Sequence, residues 1–293
     1  MPPRSASHGA DAEHEEWKPS MTQAAKVVLI TGVSSGFGKA IAEALHARGF
    51  CVYGTTRAVP APETGGSFRS ITMDVDSDAS VAEGVERILR EQGRIDVLVN
   101  NAGFGVAGAI EDTTVEEARA QLETNFLGTH RTCRAVLPAM REQRSGRIVN
   151  IGSLAGLVSV PFQAFYCATK YAVEAYTEAL RMEVRPFGIH VSLVEPGDFA
   201  TGFTAKRRMV GASGPSSIYD ERCRAAVGRM AADEARNTDI GPVVRQVIAV
   251  VESTKPRLRY PVANLLQRTM VALRPALPAR WFEFLIMDNY GIR

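Results

Sequence analysis

Residues 26–45 read KVVLITGVSSGFGKAIAEAL. The apolar, β-branched run 27–30 leads directly into a glycine turn and then into a helical pattern that starts at Gly38. This order predicts a strand buried on both faces whose end meets the N-terminus of a helix. Glycines let a backbone approach a pyrophosphate closely, and unpaired N–H groups at a helix start attract its charge. The turn residues predicted to bind a dinucleotide are Gly32, Ser34, Ser35, Gly36, Phe37 and Gly38.

Outward from this turn, short apolar runs alternate with amphipathic stretches. The alternation predicts an α/β fold in which a doubly wound, mostly parallel Rossmann-type sheet carries helices on both faces. The further predicted strands are 51–56, 70–74, 95–100, 147–152, 189–195 and 257–260. The predicted helices are 38–48, 79–92, 115–141, 164–184 and 242–252.

Three segments lie outside the alternation. Residues 1–25 lack any period and predict a disordered extension, followed by a single domain over residues 26–293. Residues 199–236 mix glycine, serine and charges, which predicts a mobile substrate loop carrying short helices. Residues 255–280 hold six basic residues and no acidic one, with apolar residues at helical spacing. They predict a basic amphipathic helix in a C-terminal helical segment of about 262–288.

The composition excludes several functions. With 34 basic residues against 32 acidic ones, the formal charge is +2, so no global field attracts nucleic acid. The four cysteines are scattered and the histidines isolated, so we expect free thiols and no metal site. The N-terminus has no apolar core of a secretory signal. These features predict a soluble, cytoplasmic protein.

The second predicted strand ends in Thr55-Thr56-Arg57, where an NAD-binding protein would place an acidic residue on the ribose. Arg57 offers a planar cation that suits a 2′-phosphate. The expected cofactor is therefore NADP(H) rather than NAD(H). The alternative is that Arg57 is an ordinary solvated arginine of a loop.

Tyr166 and Lys170 stand one helical turn apart on one face. A phenol has a pKa of about 10, and a nearby cation stabilises its ionised form. Lys170 together with an oxidised nicotinamide ring could lower that pKa by about 3 units, which would require about 4 kcal/mol and would make Tyr166 a general acid or base near neutral pH. Ser153 follows a predicted strand, where its hydroxyl can bind a substrate oxygen. Alone, the Tyr-x-x-x-Lys pattern also fits an ordinary helix face.

Two asparagine positions add to this pattern. Asn100-Asn101-Ala102-Gly103 ends another predicted strand, and Asn125 lies inside the long predicted helix, where an amide is unfavourable. In this order the motifs resemble those of the short-chain dehydrogenase/reductase family, from Lys26 to about Thr201, closest in look to its hydroxysteroid and retinol dehydrogenase branch. The last of these motifs along the chain is Pro196-Gly197, with Thr201 beyond it.

The resemblance implies roles that the residues alone do not give. It implies that Tyr166 is the catalytic acid or base, that Ser153 orients the carbonyl, that Lys170 binds the nicotinamide ribose, and that Asn125 supports a proton path. It also implies hydride transfer between the nicotinamide and a carbonyl carbon. The further cofactor contacts that it implies are Asp74, Val75, Asn101, Ala102, Gly103, Pro196, Gly197 and Thr201.

The expected substrate is a small apolar ketone, aldehyde or secondary alcohol, because apolar residues border the predicted chemistry: Phe104, Leu154, Val160, Phe162, Phe199 and Phe203. The expected activity is that of a carbonyl reductase or alcohol dehydrogenase. A non-catalytic NADP(H)-binding sensor or scaffold and a dinucleotide-using epimerase or dehydratase are the alternatives. The resemblance also implies a homodimer or homotetramer. The C-terminal segment could act as a lid, a subunit interface or a peripheral membrane contact.

Overall fold

The structure is a computed structural model that describes residues 25–58, 68–202 and 206–292. In this part of the chain, seven parallel strands form one sheet with helices packed on both faces. The predicted doubly wound fold is confirmed. Apart from Ala25, the predicted N-terminal extension lies outside the described residues.

The helices and strands alternate along most of the described chain. The strands are β1 Val27–Ile30, β2 Cys51–Thr56, β3 Arg69–Thr72, β4 Val97–Asn100, β5 Val106–Ala107, β6 Gly146–Ile151, β7 Ile189–Pro196, β8 Arg208–Met209 and β9 Arg259–Val262. The helices are α1 Gly36–His46, α2 Asp78–Gln92, α3 Val115–Leu122, α4 Gly128–Glu142, α5 Ala164–Val184, α6 Asp220–Arg236, α7 Gly241–Glu252, α8 Leu265–Leu273 and α9 Ala279–Asn289.

Strand β1 is buried on both faces because its side chains alternate between two apolar layers. Val28 and Ile30 pack with α1 and α7, whereas Val27 and Leu29 pack with α2, α4 and α5. This arrangement explains why the strand is apolar at every position, as in other parallel sheets covered on both sides.

The strand order is β3-β2-β1-β4-β6-β7-β9. The order reverses between β1 and β4, so the connections that follow these two strands diverge and leave a crevice at their carboxyl ends. Thr31 and Asn101, the residues that directly follow β1 and β4, meet there: the Asn101 N–H donates to Thr31 Oγ1 at 3.0 Å. The fold thus opens its ligand crevice beside the glycine turn.

Three predicted elements differ from the structure. The single helix 115–141 is divided by a π-helical turn, Glu123–Leu127, between α3 and α4. The predicted loop 199–236 ends in the 17-residue helix α6, which buries Cys223, Ala226 and Met230 at helical spacing. The predicted basic helix 255–280 is replaced at its start by β9, which overlaps the strand also predicted at 257–260 and pairs with β7, and helix α8 starts only after the cap residue Asn264.

None of the helices in the described ranges combines the length and the apolar character that a bilayer crossing requires.

Candidate active site

A cleft of about 1440 Å³ lies at the carboxyl ends of the sheet strands, past the ends of β1, β2, β4, β6 and β7. Nearly all the site residues proposed from the sequence line it. They are Gly32, Ser34, Ser35, Gly36, Phe37, Arg57, Asp74, Val75, Asn101, Ala102, Gly103, Asn125, Ser153, Tyr166, Lys170, Pro196, Gly197 and Thr201. Gly38 does not line the cleft.

Gly38 lies behind the turn, where it lets helix α1 pack closely. A Cβ at Gly38 would come within 2.3 Å of the Gly32 carbonyl oxygen and 2.4 Å of Asn101 Nδ2. The Asn101 amide donates to the carbonyl oxygens of Thr31 (3.0 Å) and Gly32 (2.9 Å) and so fixes the turn. Gly32 itself has a φ of +71°, which favours glycine. Gly38 therefore shapes the site from behind rather than facing a ligand.

The N-terminus of α1 opens into the cleft without a side-chain cap. The Ser35 side chain makes no capping hydrogen bond, and the first turn contains no acidic residue. Instead, Lys206 Nζ donates to Ser35 Oγ at 2.8 Å and also lines the cleft. Backbone N–H groups, the positive end of a helix and an ammonium group together suit a pyrophosphate. The residues present therefore fit a dinucleotide, and Lys206 is a candidate contact that the sequence patterns missed.

Beyond the turn, the cleft is bordered by charges of both signs. Arg57, exposed just after β2, lines it together with Asp74. The Asp74 carboxylate accepts a hydrogen bond from the Asp76 N–H at 3.1 Å. Burial raises the pKa of Asp76, and its hydrogen bond with Thr124 and the nearby Arg57 charge oppose that rise. Arg57 therefore lies within electrostatic reach of a carboxylate as well as of the cleft.

Ser153, Tyr166 and Lys170 meet in the cleft where β6 ends. Ser153 caps the short 3-10 turn Leu154–Gly156, its Oγ accepting the Ala155 N–H at 3.1 Å, and its hydroxyl hydrogen-bonds to Tyr166. Lys170 follows Tyr166 by one turn of α5; its Nζ donates to the Ile151 carbonyl oxygen at 2.8 Å and lies 5.8 Å from the Tyr166 ring centre. A phenol, a hydroxyl and an ammonium group thus share one corner of the cleft.

The pKa of Tyr166 is raised by the protein's own groups. Burial is the largest cause and the negative charge of Glu234 adds to it, while the hydrogen bond from Ser153 opposes it. Burial also lowers the pKa of Lys170 to about 8. The cost of removing a phenolate from water thus outweighs the hydrogen bond that stabilises it, and the lower pKa expected with an oxidised nicotinamide ring bound stays a prediction.

Asn125 occupies the π-helical turn and clamps the backbone that follows β4. Its Nδ2 donates to the Phe104 carbonyl oxygen at 2.9 Å, and its Oδ1 accepts the Phe104 N–H at 3.0 Å. Nδ2 also lies 3.3 Å from Thr169 Oγ1 on α5. These contacts explain why an amide lies within this helix: it ties the Phe104 loop to the helix that carries Tyr166.

A buried carboxyl network lies behind Lys170, and no sequence pattern indicated it. Glu174, one turn after Lys170, accepts from Arg259 Nε at 2.9 Å, and Glu178 pairs with the same guanidinium. Glu195 on β7 is fully buried, with its Oε1 3.6 Å from Arg259 Nε. Burial raises the pKa of Glu195 to about 8; the charge of Glu174 adds to the rise and that of Arg259 opposes it. One guanidinium thus faces three carboxyls, and Glu195 holds a proton at neutral pH.

Only some of the apolar residues expected to border the substrate line the cleft. Of the aromatic and aliphatic residues expected there, Phe104, Leu154, Val160 and Phe199 line it. Phe162 does not; it packs against the small apolar cluster of Ala226, Met230 and Ile292, and Phe203 lies outside the described residues. Helices α6, α8 and α9 supply further lining side chains that the sequence patterns missed: Met230, Asp233, Glu234, Leu266, Met270, Val271, Leu285 and Ile286.

Comparison with known proteins gives the family. The family model of the short chain dehydrogenases matches residues 26–210, more than half of the chain. The chain is a short-chain dehydrogenase/reductase. This short-chain dehydrogenase/reductase is 41% identical over 268 residues to the 3-ketodihydrosphingosine reductase of Bacteroides thetaiotaomicron, an alignment covering 92% of this chain and 99% of that protein.

Solved structures of the family agree with the fold. A short-chain dehydrogenase from Streptomyces avermitilis is 32% identical, with a TM-score of 0.76 and 92% of this chain and 98% of that chain covered. A short-chain dehydrogenase/reductase from Burkholderia phymatum, solved in complex with NAD, is 27% identical with a TM-score of 0.73, covering 86% of this chain and 93% of that one. The protein is thus an oxidoreductase-family member with a fold that binds nicotinamide cofactors.

Proposed function

We propose that this short-chain dehydrogenase/reductase is an NADP(H)-dependent carbonyl reductase or alcohol dehydrogenase acting on an apolar ketone or the matching secondary alcohol. The observation that carries the proposal is the hydrogen bond between Ser153 and Tyr166, with Lys170 one helical turn away, at the corner of the cleft. The uncapped start of α1, which suits a pyrophosphate, lines the same cleft.

In this proposal a bound nicotinamide dinucleotide supplies the hydride to the substrate carbon. The chain supplies the proton: the Tyr166 hydroxyl donates it to the carbonyl oxygen, which the Ser153 hydroxyl holds in line. A raised pKa keeps the phenol protonated at neutral pH, as a proton donor for ketone reduction must be. Lys170 places a positive charge beside the phenolate that forms, and Asn125 holds the surrounding loop.

One cation supports NADP(H) over NAD(H). Arg57 stands directly after β2, at the position where an NAD-binding protein would place an acidic residue on the ribose hydroxyls. The Asp76 carboxylate near Arg57 weakens the attraction for a 2′-phosphate, so we expect a modest preference.

The substrate that we propose to test first is a long-chain amino ketone. The similarity to a 3-ketodihydrosphingosine reductase supports a ketone on a long alkyl chain that also carries an amino group. The cleft lining combines apolar side chains such as Leu154, Met230 and Met270 with the carboxylates of Asp198, Asp233 and Glu234. Burial raises the pKa of Asp198 to about 6, which still leaves it mostly ionised at neutral pH and able to attract an ammonium group.

We also propose a cytoplasmic location. Cys51, Cys133, Cys167 and Cys223 are all free thiols, which supports a reducing compartment.

The decisive experiment follows NADPH absorbance with the purified protein and a panel of ketones that vary in chain length and in the presence of an amino group. We expect oxidation with a long-chain ketone and faster turnover when the amino group is present. Binding of NADPH without turnover of any ketone would instead favour a sensor. Isomerised product without net oxidation of NADPH would favour an epimerase.

A further inference from the structure

Helices α8 and α9 leave their apolar side chains unusually exposed. Neither helix, both of which lie wholly within the described ranges, contains a buried residue. Among the described residues, twelve large apolar side chains are exposed, and six of them fall between residues 265 and 285. They are Leu265, Leu266, Leu273, Trp281, Phe284 and Leu285, which we call the apolar rim. Such a concentration marks an interaction surface rather than ordinary scatter.

Two residues of the apolar rim also line the cleft. Leu266 is 67% exposed and Leu285 is 39% exposed, yet both also line the cleft. Met270 of α8 and Ile286 of α9 line it more deeply. Side chains that are both solvent-exposed and cleft-lining lie at the mouth. Exposed apolar side chains of both helices therefore border the mouth of the cleft.

Charges of both signs lie beside the rim, with arginines in the majority. Arg268, Arg274 and Arg280 are exposed on or next to α8 and α9, and so are the carboxylates of Glu283 and Asp288. The Arg274 guanidinium bonds to the Leu157 carbonyl oxygen and lies 5.4 Å from the Tyr171 ring centre, so it is fixed at this surface. Exposed leucines and aromatic residues, bordered by arginines, match the surface of a bilayer that contains anionic lipid.

We propose that the apolar rim docks this short-chain dehydrogenase/reductase on an anionic membrane surface, so that a long-chain substrate enters the cleft directly from the lipid. The substrate part of this inference rests on the proposed function; the docking part does not. A bilayer fits this surface better than a second copy of the chain does. A two-fold contact would bring like-charged arginines together and would cover the mouth at Leu266 and Leu285.

The test uses the full chain and vesicles of two compositions, pure phosphatidylcholine and equimolar phosphatidylcholine and phosphatidylglycerol. We expect flotation with the anionic vesicles that weakens as salt is added. The double variant Trp281→Ser/Phe284→Ser should lose about tenfold or more in apparent affinity. The matched control, Ile218→Ser, removes a side chain that is 86% exposed outside the rim and should bind like the wild type.

A second readout follows insertion itself. The chain has two tryptophans, Trp17 and Trp281, so a Trp17→Phe variant reports on the rim alone. Its emission should shift to shorter wavelength with anionic vesicles, because Trp281 leaves water. Activity on a short, water-soluble ketone should be the same in the wild type and in Trp281→Ser/Phe284→Ser, since neither residue lines the cleft.

Three results would overturn the docking proposal. The first is no binding of the wild type to either vesicle, and the second is equal binding by the wild type and the double variant. The third is a wild type that sediments as a dimer and a double variant that sediments as a monomer. The last result would assign the rim to a second copy. If the wild type does not turn over the soluble ketone at all, that result counts against the proposed function instead. The two failures are therefore distinguishable.

Discussion

Substitution of Glu195 by Gln tests how the buried carboxyl network behind Lys170 affects stability. The folded protein holds a proton on Glu195 up to a pKa of about 8, whereas an ordinary glutamate releases it near 4.5. A group whose pKa is raised by folding stabilises the protein below its unfolded pKa, and that contribution is lost as pH rises through the folded value. We therefore expect the wild type to lose stability as pH rises from mildly acidic to mildly alkaline.

The size of the loss follows from the two pKa values. Each unit of pKa difference corresponds to about 1.4 kcal/mol. The ionisation of Glu195 should therefore lower the free energy of unfolding by about 3 kcal/mol between about pH 5 and pH 7.5. The raised pKa of Asp198, about 6, changes stability in the same direction. The difference between the wild type and Glu195→Gln reports the contribution of Glu195 together with its coupling to Glu174, because the amide keeps the shape of the side chain and is uncharged throughout.

The assay is urea unfolding of the full chain at both pH values, followed by circular dichroism. Glu195→Gln should be more stable than the wild type at the higher pH and should show a pH dependence smaller by about 3 kcal/mol. Glu178→Gln is the matched control, because it removes a carboxylate that contacts the same Arg259 from a half-exposed position. An unchanged pH dependence in Glu195→Gln would show that this carboxyl is ionised in the folded protein and would refute the reasoning.

Three further substitutions test other parts of the site. Gly38→Ala places a Cβ 2.3 Å from a backbone oxygen. The substitution should destabilise the protein by about 2 kcal/mol and weaken NADPH binding. Unfolding and binding titrations like those of the wild type would contradict this prediction. In fluorescence titrations, Arg57→Ala should weaken NADPH binding about tenfold and leave NADH binding unchanged. Equal losses of affinity for both cofactors would show that Arg57 does not bind the 2′-phosphate. Glu174→Gln removes a charge that supports protonation of Lys170, whose pKa is about 8, so the alkaline limb of the pH–kcat profile should move to lower pH. Glu178→Gln should leave the alkaline limb in place. If the alkaline limb does not move in Glu174→Gln either, the charge of Glu174 does not affect the pKa of Lys170.

The sequence predicted the parts of the molecule that depend on local order. Strand β1, the glycine turn and the start of α1 are adjacent in the chain, so one stretch determines them together. Because the carboxyl ends of parallel strands meet at one edge, residues that follow β2, β4, β6 and β7 were expected in one cleft, and the structure places them there.

The features that the sequence did not predict depend on contacts between distant segments. Lys206 reaches Ser35 across 171 positions, and Arg259 reaches Glu174 across 85. The π-helical turn at Asn125 depends on the Phe104 backbone that its side chain binds. The pKa of Tyr166 depends on burial, which the spacing of Tyr166 and Lys170 does not report. Periodicity carries no information about such contacts.

The most direct test of the account compares Tyr166→Phe with the wild type in two measurements on the same samples, NADPH dissociation constants and single-turnover reduction of a ketone that the wild type accepts. The account predicts nearly unchanged NADPH binding and a loss of reduction by about a thousandfold or more, because the phenol is the proton donor. Reduction at close to the wild-type rate in Tyr166→Phe would contradict it.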